Sequence, residues 1–228
     1  MFSTSSTDGK LKLWDTDRMQ TAASFSLGKV FCHSYSPVPG HSSIISAGCD
    51  SVVRLCDLRT GAAAQSLNGH KGNIYAVQWS PSCSFSLLTG GSDGSVRFWD
   101  IRRPGSLGST SLLQNDSSSS FAIKDIVFLT SSLTAVLSSS SKSNLRIDVI
   151  DSDEKSTLSS LPKISSNQRL LQRIEYLSDS SKLQFIIPSK DSLHVYSYHD
   201  AITLETEIKT EFPPRICKYN VELKVKII

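Results

Sequence analysis

Thr4-Ser5-Ser6-Thr7-Asp8-Gly9-Lys10-Leu11-Lys12-Leu13-Trp14-Asp15 recurs as Ser46-Ala47-Gly48-Cys49-Asp50-Ser51-Val52-Val53-Arg54-Leu55-Cys56-Asp57. It recurs again as Thr89-Gly90-Gly91-Ser92-Asp93-Gly94-Ser95-Val96-Arg97-Phe98-Trp99-Asp100, so that the turn aspartates lie 42 and 43 residues apart. A fixed period of this length constrains the fold strongly, because one such unit cannot bury its own apolar face and must stack on its neighbours. In each copy a strand ends in small residues and meets an Asp-Gly or Asp-Ser turn. A second strand then alternates apolar and polar side chains up to the Trp-Asp position, the pattern of a β-hairpin.

A third strand belongs to each unit. Gly69-His70 precedes Ile74-Tyr75-Ala76-Val77-Gln78-Trp79-Ser80-Pro81, and Val30-Phe31-Cys32-His33-Ser34-Tyr35-Ser36-Pro37 lies 44 residues earlier. Thr60-Gly61 followed by Ala62-Ala63-Ala64-Gln65-Ser66-Leu67 supplies a fourth. Units of four strands that run from Gly-His to Trp-Asp resemble the blades of WD40 repeats, and such blades build β-propellers. The expectation is an all-β, WD40-type β-propeller.

Beyond Asp100 the pattern fades. Ile123 to Leu129, Leu133 to Ser138 and Leu145 to Ile150 lay out as three strands, with Val149 in the Trp place; Arg173 to Tyr176, Leu183 to Ile187 and Leu193 to Tyr198 make another set, with Tyr196 there. The polar runs Gly105 to Ser120 and Ser152 to Ser166 are expected to be long surface loops. The expected domain is thus a partial propeller over 1–209, with clear repeats at 1–15, 30–67 and 69–103, degenerate blades at 121–161 and 170–209, and an unassigned tail at 210–228. Met1 opens in mid-blade. The expectation is about four to five four-stranded blades of a seven-bladed parent, truncated at both ends.

Composition narrows the function classes. The formal charge of +3 comes from 24 basic and 21 acidic residues spread along the chain; nucleic acid is bound through clustered phosphate contacts, so no direct nucleic-acid partner is expected. No apolar run of membrane-spanning length and no signal peptide is found, so a membrane is not expected either. The five cysteines, Cys32, Cys49, Cys56, Cys83 and Cys217, contain no CxxC pair, and the histidines at 33, 41, 194 and 199 share no ligand spacing. No metal and no cofactor are expected.

His70, Thr89 and Asp93, expected to converge with Trp99, combine the groups of an activated nucleophile. The stronger reading is a structural tetrad inside the blade that satisfies buried polar groups, so no enzyme is expected. Gly90 to Ser95 lacks the Gly-Lys-Ser/Thr ending of a phosphate loop and is read as a hairpin turn. Ser117 to Ser120 and Ser138 to Ser141 are read as solvated linker or strand ends in preference to phosphorylation sites. Trp99-Asp100-Ile101-Arg102 and Cys56-Asp57-Leu58-Arg59 place an arginine two residues past the blade-ending acid. Such an arginine either pairs with its own acid or serves an interface, and two copies on adjacent blades favour the interface. The first unit differs, reading Trp14-Asp15-Thr16-Asp17.

The WDxR ending after a small-residue run and a turn Asp resembles the box of WD40 substrate receptors that dock on the damaged-DNA-binding adaptor of cullin-4 ubiquitin ligases. Within that class the chain is similar to the Cockayne syndrome group A family. The likeness rests on Leu11 to Thr16 with Met19 to Ala22, on Val53 to Leu58 with Cys56 in place of Trp, on Gly69-His70 through Trp79-Ser80-Pro81 to Trp99 to Arg103, and on Phe185 to Pro188 with Val195-Tyr196. The resemblance implies a nuclear, non-catalytic receptor in transcription-coupled nucleotide excision repair, acting on RNA polymerase II-associated substrates. Asp57, Arg59, Asp100 and Arg102 would then be the adaptor-binding candidates. The family's N-terminal adaptor-gripping helix, first blades and final repeat are expected to be missing from this chain. A general protein-interaction scaffold in a chromatin or RNA-processing complex is the other reading.

Overall fold

The computed structural model describes residues 2–36, 44–103, 106–111, 121–140, 144–165, 174–179, 182–188, 192–209, 217–218 and 226–227. All regular structure among them is strand. The chain divides into two compact units, Met1–Ser111 and Leu112–Ile228.

The first unit holds three antiparallel sheets. β1 (Phe2–Ser5), β2 (Lys10–Asp15) and β3 (Gln20–Ser26) form the first. The second is β4 (Cys32–Tyr35), β5 (Ile44–Gly48), β6 (Val52–Asp57) and β7 (Ala62–Asn68); the third is β8 (Ile74–Trp79), β9 (Ser86–Gly91), β10 (Ser95–Asp100) and β11 (Ser106–Ser111). Strands pair in chain order, each sheet being a meander. The second unit repeats the plan with β12 (Phe121–Phe128), β13 (Leu133–Ser140), β14 (Asn144–Asp151) and β15 (Ser156–Ser165), then β16 (Glu175–Asp179), β17 (Lys182–Pro188), β18 (Ser192–Tyr198) and β19 (Ile202–Lys209). A short pair, β20 (Cys217–Lys218) and β21 (Lys226–Ile227), lies in the stretch left unassigned by sequence.

Within each unit apolar side chains are buried between successive sheets, which is what forces those sheets to stack. Leu11, Leu13, Phe25 and Val30 pack with Ala47, Cys49 and Cys56. Val53, Leu55 and Leu67 pack with Ile74, Val77, Leu87 and Trp99, and in the second unit Leu137, Leu145, Ile147 and Val149 pack with Phe185, Ile187 and Tyr196. Full burial of each aliphatic side chain is worth about 1.5–3 kcal/mol relative to exposure. Backbone bonds tie the sheets of the first unit, Val30 N–H donating to Ser6 O at 3.2 Å and Ile74 N–H to Cys49 O at 3.3 Å.

Two expected loops are corrected. Ser106–Ser111, within the loop expected over Gly105 to Ser120, is strand β11. Ser156–Ser165, within that expected over Ser152 to Ser166, is strand β15. Both are outermost strands, held by backbone ladder bonds and free of any need for apolar alternation. The related β19 shows the reason, being exposed along its length after Ile202. Residues 112–120 and 166 lie outside the described residues. Ser138 and Ser140, expected at a solvated strand end, are instead buried in β13; Ser117 to Ser120 and Ser141 are outside the described residues.

The place expected for Val149 is also corrected. A β-bulge stands immediately before Trp14, Cys56, Trp99 and Tyr196, between Leu13/Trp14, Leu55/Cys56, Phe98/Trp99 and Val195/Tyr196. In β14 the corresponding bulge falls between Val149 and Ile150. The following turn agrees. Met19, Gly61 and Lys155 adopt φ of 50°, 67° and 56°, and each lies four residues after the strand-ending Asp15, Asp57 or Asp151. Ile150 therefore holds the Trp position. Val149 points to the opposite face, into the core with Leu145 and Ile147.

Candidate functional site

The third sheet is closed by a chain of polar side chains. Gly94, at φ 71°, makes the turn between β9 and β10, which turns the Asp93 carboxylate back over the sheet. Asp93 accepts from Lys71 N–H at 2.8 Å, Ser95 N–H at 3.2 Å and Ser95 Oγ at 2.8 Å. It faces His70 Nδ1 at 3.0 Å, His70 Nε2 lies 2.7 Å from Thr89 Oγ1, and Trp99 Nε1 donates to that same oxygen at 2.7 Å.

Burial pushes the His70 pKa down despite the neighbouring Asp93 carboxylate. Burial would push Asp93 up, but hydrogen bonds from the Lys71 N–H and Ser95, with His70 beside it, hold its carboxyl below the usual value. With a neutral imidazole the donors run one way: Trp99 N–H to Thr89, Thr89 O–H to Nε2, Nδ1–H to Asp93. All four expected tetrad residues meet. Thr89 is completely buried and its oxygen already accepts the indole N–H, so a substrate carbonyl has no approach to it. The arrangement does the work of satisfying buried polar groups.

The first sheet keeps part of this device, with Trp14 Nε1 donating to Thr4 Oγ1 at 2.9 Å. His33 enters from β4 to meet Ser3 and Ser5 at 2.7 and 2.8 Å. The second sheet loses the indole to Cys56, a fully buried thiol whose pKa burial raises to about 11. Unforeseen from sequence is a buried group in the fourth sheet. Arg146 Nε donates to Asp148 Oδ1 at 2.9 Å, Ser160 Oγ donates to the same oxygen, and Asp148 Oδ2 is buried without a partner. Burial raises the Asp148 pKa above the carboxylate norm, Ser160 and Arg146 opposing it. The arginine, serine and aspartate come from two strands that the sequence pattern left unpaired.

The acids and arginines singled out by sequence lie where β6 and β10 end. Asp57 Oδ1 accepts from Arg59 N–H at 2.9 Å, and the guanidinium pairs loosely, Nε to Oδ1 at 3.4 Å and Nη2 to Oδ2 at 3.3 Å. Asp100 is gripped more closely, by Arg102 N–H at 3.0 Å, Nε at 2.9 Å and Nη2 at 2.7 Å. That fork lowers the Asp100 pKa to about 2. The guanidinium carbon lies 4.5 Å from the Phe85 ring centroid. Each arginine thus pairs with its own acid while its side chain stays exposed, 77% for Arg59 and 57% for Arg102. The corrected register puts Asp153 two residues past Asp151, so the fourth sheet, like the first with Asp17, carries an acid at that position.

Residues 61–100 match the family described as WD40: WD domain, G-beta repeat. The chain is 44% identical over 107 residues to the WD repeat-containing protein ATCSA-1 of Arabidopsis thaliana, covering 46% of this chain and 24% of that protein. It is 33% identical over 101 residues to the ribosome biogenesis protein WDR12 homolog of Nematostella vectensis, covering 42% and 24%. It is also 33% identical over 103 residues to transcription initiation factor TFIID subunit 5 of Caenorhabditis elegans, covering 44% and 15%. The chain spans about a quarter or less of the length of these relatives. A chain in the crystal structure of the mitotic checkpoint complex superposes with a TM-score of 0.76 at 16% identity, over 96% of this chain and 64% of that one. The fold is all-β and built of WD40-type propeller blades. Residues 61–100 thus belong to a class of repeat that in general serves protein–protein contact without catalysis.

Proposed function

We propose that this chain acts as a non-catalytic WD-repeat substrate receptor of a cullin-4 E3 ubiquitin ligase, in transcription-coupled nucleotide excision repair in the nucleus. The observation that carries the proposal is the exposed Arg102 guanidinium fixed at the end of β10 by Asp100, in the WDxR box of a chain 44% identical over its matched region to ATCSA-1. Arg102 is the contact, Arg59 a weaker second contact, and Asp100 and Asp57 aim them, because both carboxylate oxygens of each acid are already engaged by the arginine. A planar fork of this kind suits carboxylate or carbonyl acceptors on a partner. The proposed partners are the damaged-DNA-binding type of cullin-4 adaptor and repair or RNA polymerase II-associated substrates, with no direct contact to nucleic acid.

The test is retention of the adaptor by the immobilised chain. Wild type is expected to retain it, and the Arg59→Ala, Arg102→Ala double variant to lose most of it. No retention by wild type, or equal retention by the variant, sinks the proposal. A second reading, a scaffold in a chromatin or RNA-processing complex, draws on the likeness to TFIID subunit 5 and to a THO complex subunit 6 homolog of Mus musculus, 42% identical over 65 residues. Capture of such assemblies without the adaptor would favour it.

A further inference from the structure

We infer that Phe85 is a positioning residue of the docking surface, its ring holding the Arg102 guanidinium in the orientation a partner meets. The inference rests on the docking role proposed for Arg102. Phe85 stands one residue before β9, and its carbonyl accepts the Ile101 N–H at 2.9 Å. The ladder is thereby carried one step past Ser86↔Asp100, its last strand pair. The ring is fixed by the same two strands that present the arginine, and it comes to lie 4.5 Å from the guanidinium carbon.

Asp100 and Phe85 act from different directions. The carboxylate takes Nε and Nη2 along one edge, and the guanidinium carbon sits over the ring. A guanidinium has five N–H donors, so both Nη1 hydrogens and the second Nη2 hydrogen stay free of Asp100. They form a planar edge that fits the paired oxygens of a carboxylate or the carbonyls of a loop. The partner surface is therefore an acceptor-rich loop, acidic or rich in exposed carbonyls. Immobilising a long side chain is one of the costs of association, and here it is met before the partner arrives.

Among the described residues no ring lies over Arg59. Ile44↔Asp57 is the strand pair corresponding to Ser86↔Asp100, and the residue before Ile44 is Ser43, which has no ring. Its fork to Asp57 is longer and its side chain more exposed. The two arginines are therefore unequal. Arg102 is the pre-ordered anchor, and Arg59 is ordered by the partner.

The experiment measures the affinity of the full chain for the purified cullin-4 adaptor at fixed ionic strength, with wild type, Phe85→Leu, Phe85→Tyr, Arg102→Ala and the Phe85→Leu, Arg102→Ala double variant. Phe85→Leu is expected to weaken binding about 3- to 10-fold, the range of an exposed to partly desolvated cation–π contact. Phe85→Tyr, which keeps the ring, should bind as wild type does and guards against a folding defect. In the Arg102→Ala background Phe85→Leu should cause no further loss, since the ring acts through the arginine. A Phe85→Leu loss that persists in that background overturns the positioning role, as does wild-type affinity for Phe85→Leu while Arg102→Ala is weak. An Arg102→Ala variant that binds as wild type instead removes the docking reading itself, and the inference with it.

Discussion

Thr89 and Trp99 are joined at 2.7 Å by an indole N–H that donates to a hydroxyl with no exposure to solvent. The same hydroxyl lies 2.7 Å from His70 Nε2, so two buried polar groups depend on one oxygen. Thr89→Val keeps the shape and removes the oxygen, leaving both unpaired; the expected loss is about 1–3 kcal/mol per orphaned group. Thr89→Ser should recover most of it. Denaturant unfolding of the three proteins checks this, and a valine variant as stable as wild type would refute the tetrad's structural role.

The ionisable groups of the two units should give opposite pH dependence. His70 and Asp93 have folded pKa values below their ordinary ones, so their contribution is present at neutral pH. It is lost as pH falls, first below about 6.5 for the imidazole and then below about 4 for the carboxylate. Asp148 is raised; its contribution is full below the unfolded carboxylate value and is lost as pH rises through the folded one. Thermal melts of wild type and Asp148→Asn from pH 4 upward should therefore diverge, the variant gaining relative stability as pH rises. Parallel curves would count against a buried, proton-binding Asp148.

Gly48 ends β5 where the second and third sheets meet. An added Cβ would lie 2.5 Å from Cys32 Sγ, 2.9 Å from Ile74 Cγ2 and 3.2 Å from Val77 Cγ2. Gly48→Ala is expected to cost about 1–3 kcal/mol through overpacking. Gly61→Ala, with open space around it and a strained φ of 67°, should cost about 1 kcal/mol from the backbone alone. Equal effects in calorimetry would show that the sheets are not in close contact at Gly48.

Thiol reactivity should separate Cys83 from the core cysteines. The Ser86 hydroxyl donates to Cys83 Sγ at 3.3 Å, and with the Phe85 N–H and the nearby Arg102 charge it lowers the thiol's pKa. Burial raises Cys49 and takes Cys56 to about 11. Among Cys32, Cys49, Cys56 and Cys83, brief alkylation at neutral pH followed by peptide mapping should label Cys83 first. Labelling of Cys56 at a similar rate would mean that the core opens easily.

The first three sheets were legible because their turns carry Asp-Gly or Asp-Ser and β2, β6 and β10 each end in an aromatic or Cys followed by Asp. His70, Thr89, Asp93 and Trp99 could be brought together on paper for the same reason, since hairpin register follows from the turn. Ser106–Ser111 and Ser156–Ser165 were hidden, because an outermost strand is specified by backbone bonding, and a serine-rich stretch satisfies that as well as valines do. Asp148 and Ser160 were invisible as a pair for the same cause: without β15 nothing placed a hydroxyl beside the carboxylate. The Arg102–Asp100 fork was legible as an alternative, while Phe85 was not, since its contact depends on a ladder step beyond the last paired residue.

Met19, Gly61 and Lys155 close the same turn, four residues past an acid, with φ of 50°, 67° and 56°. Glycine enters that left-handed region freely, whereas a side chain adds about 1–2 kcal/mol. Two of the three sites accept that strain, so the flanking ladder dictates the bend and the letter there can drift. Backbone periodicity can thus outlive the spelling that announced it, and a search by residue identity will lose such units long before their geometry dissolves.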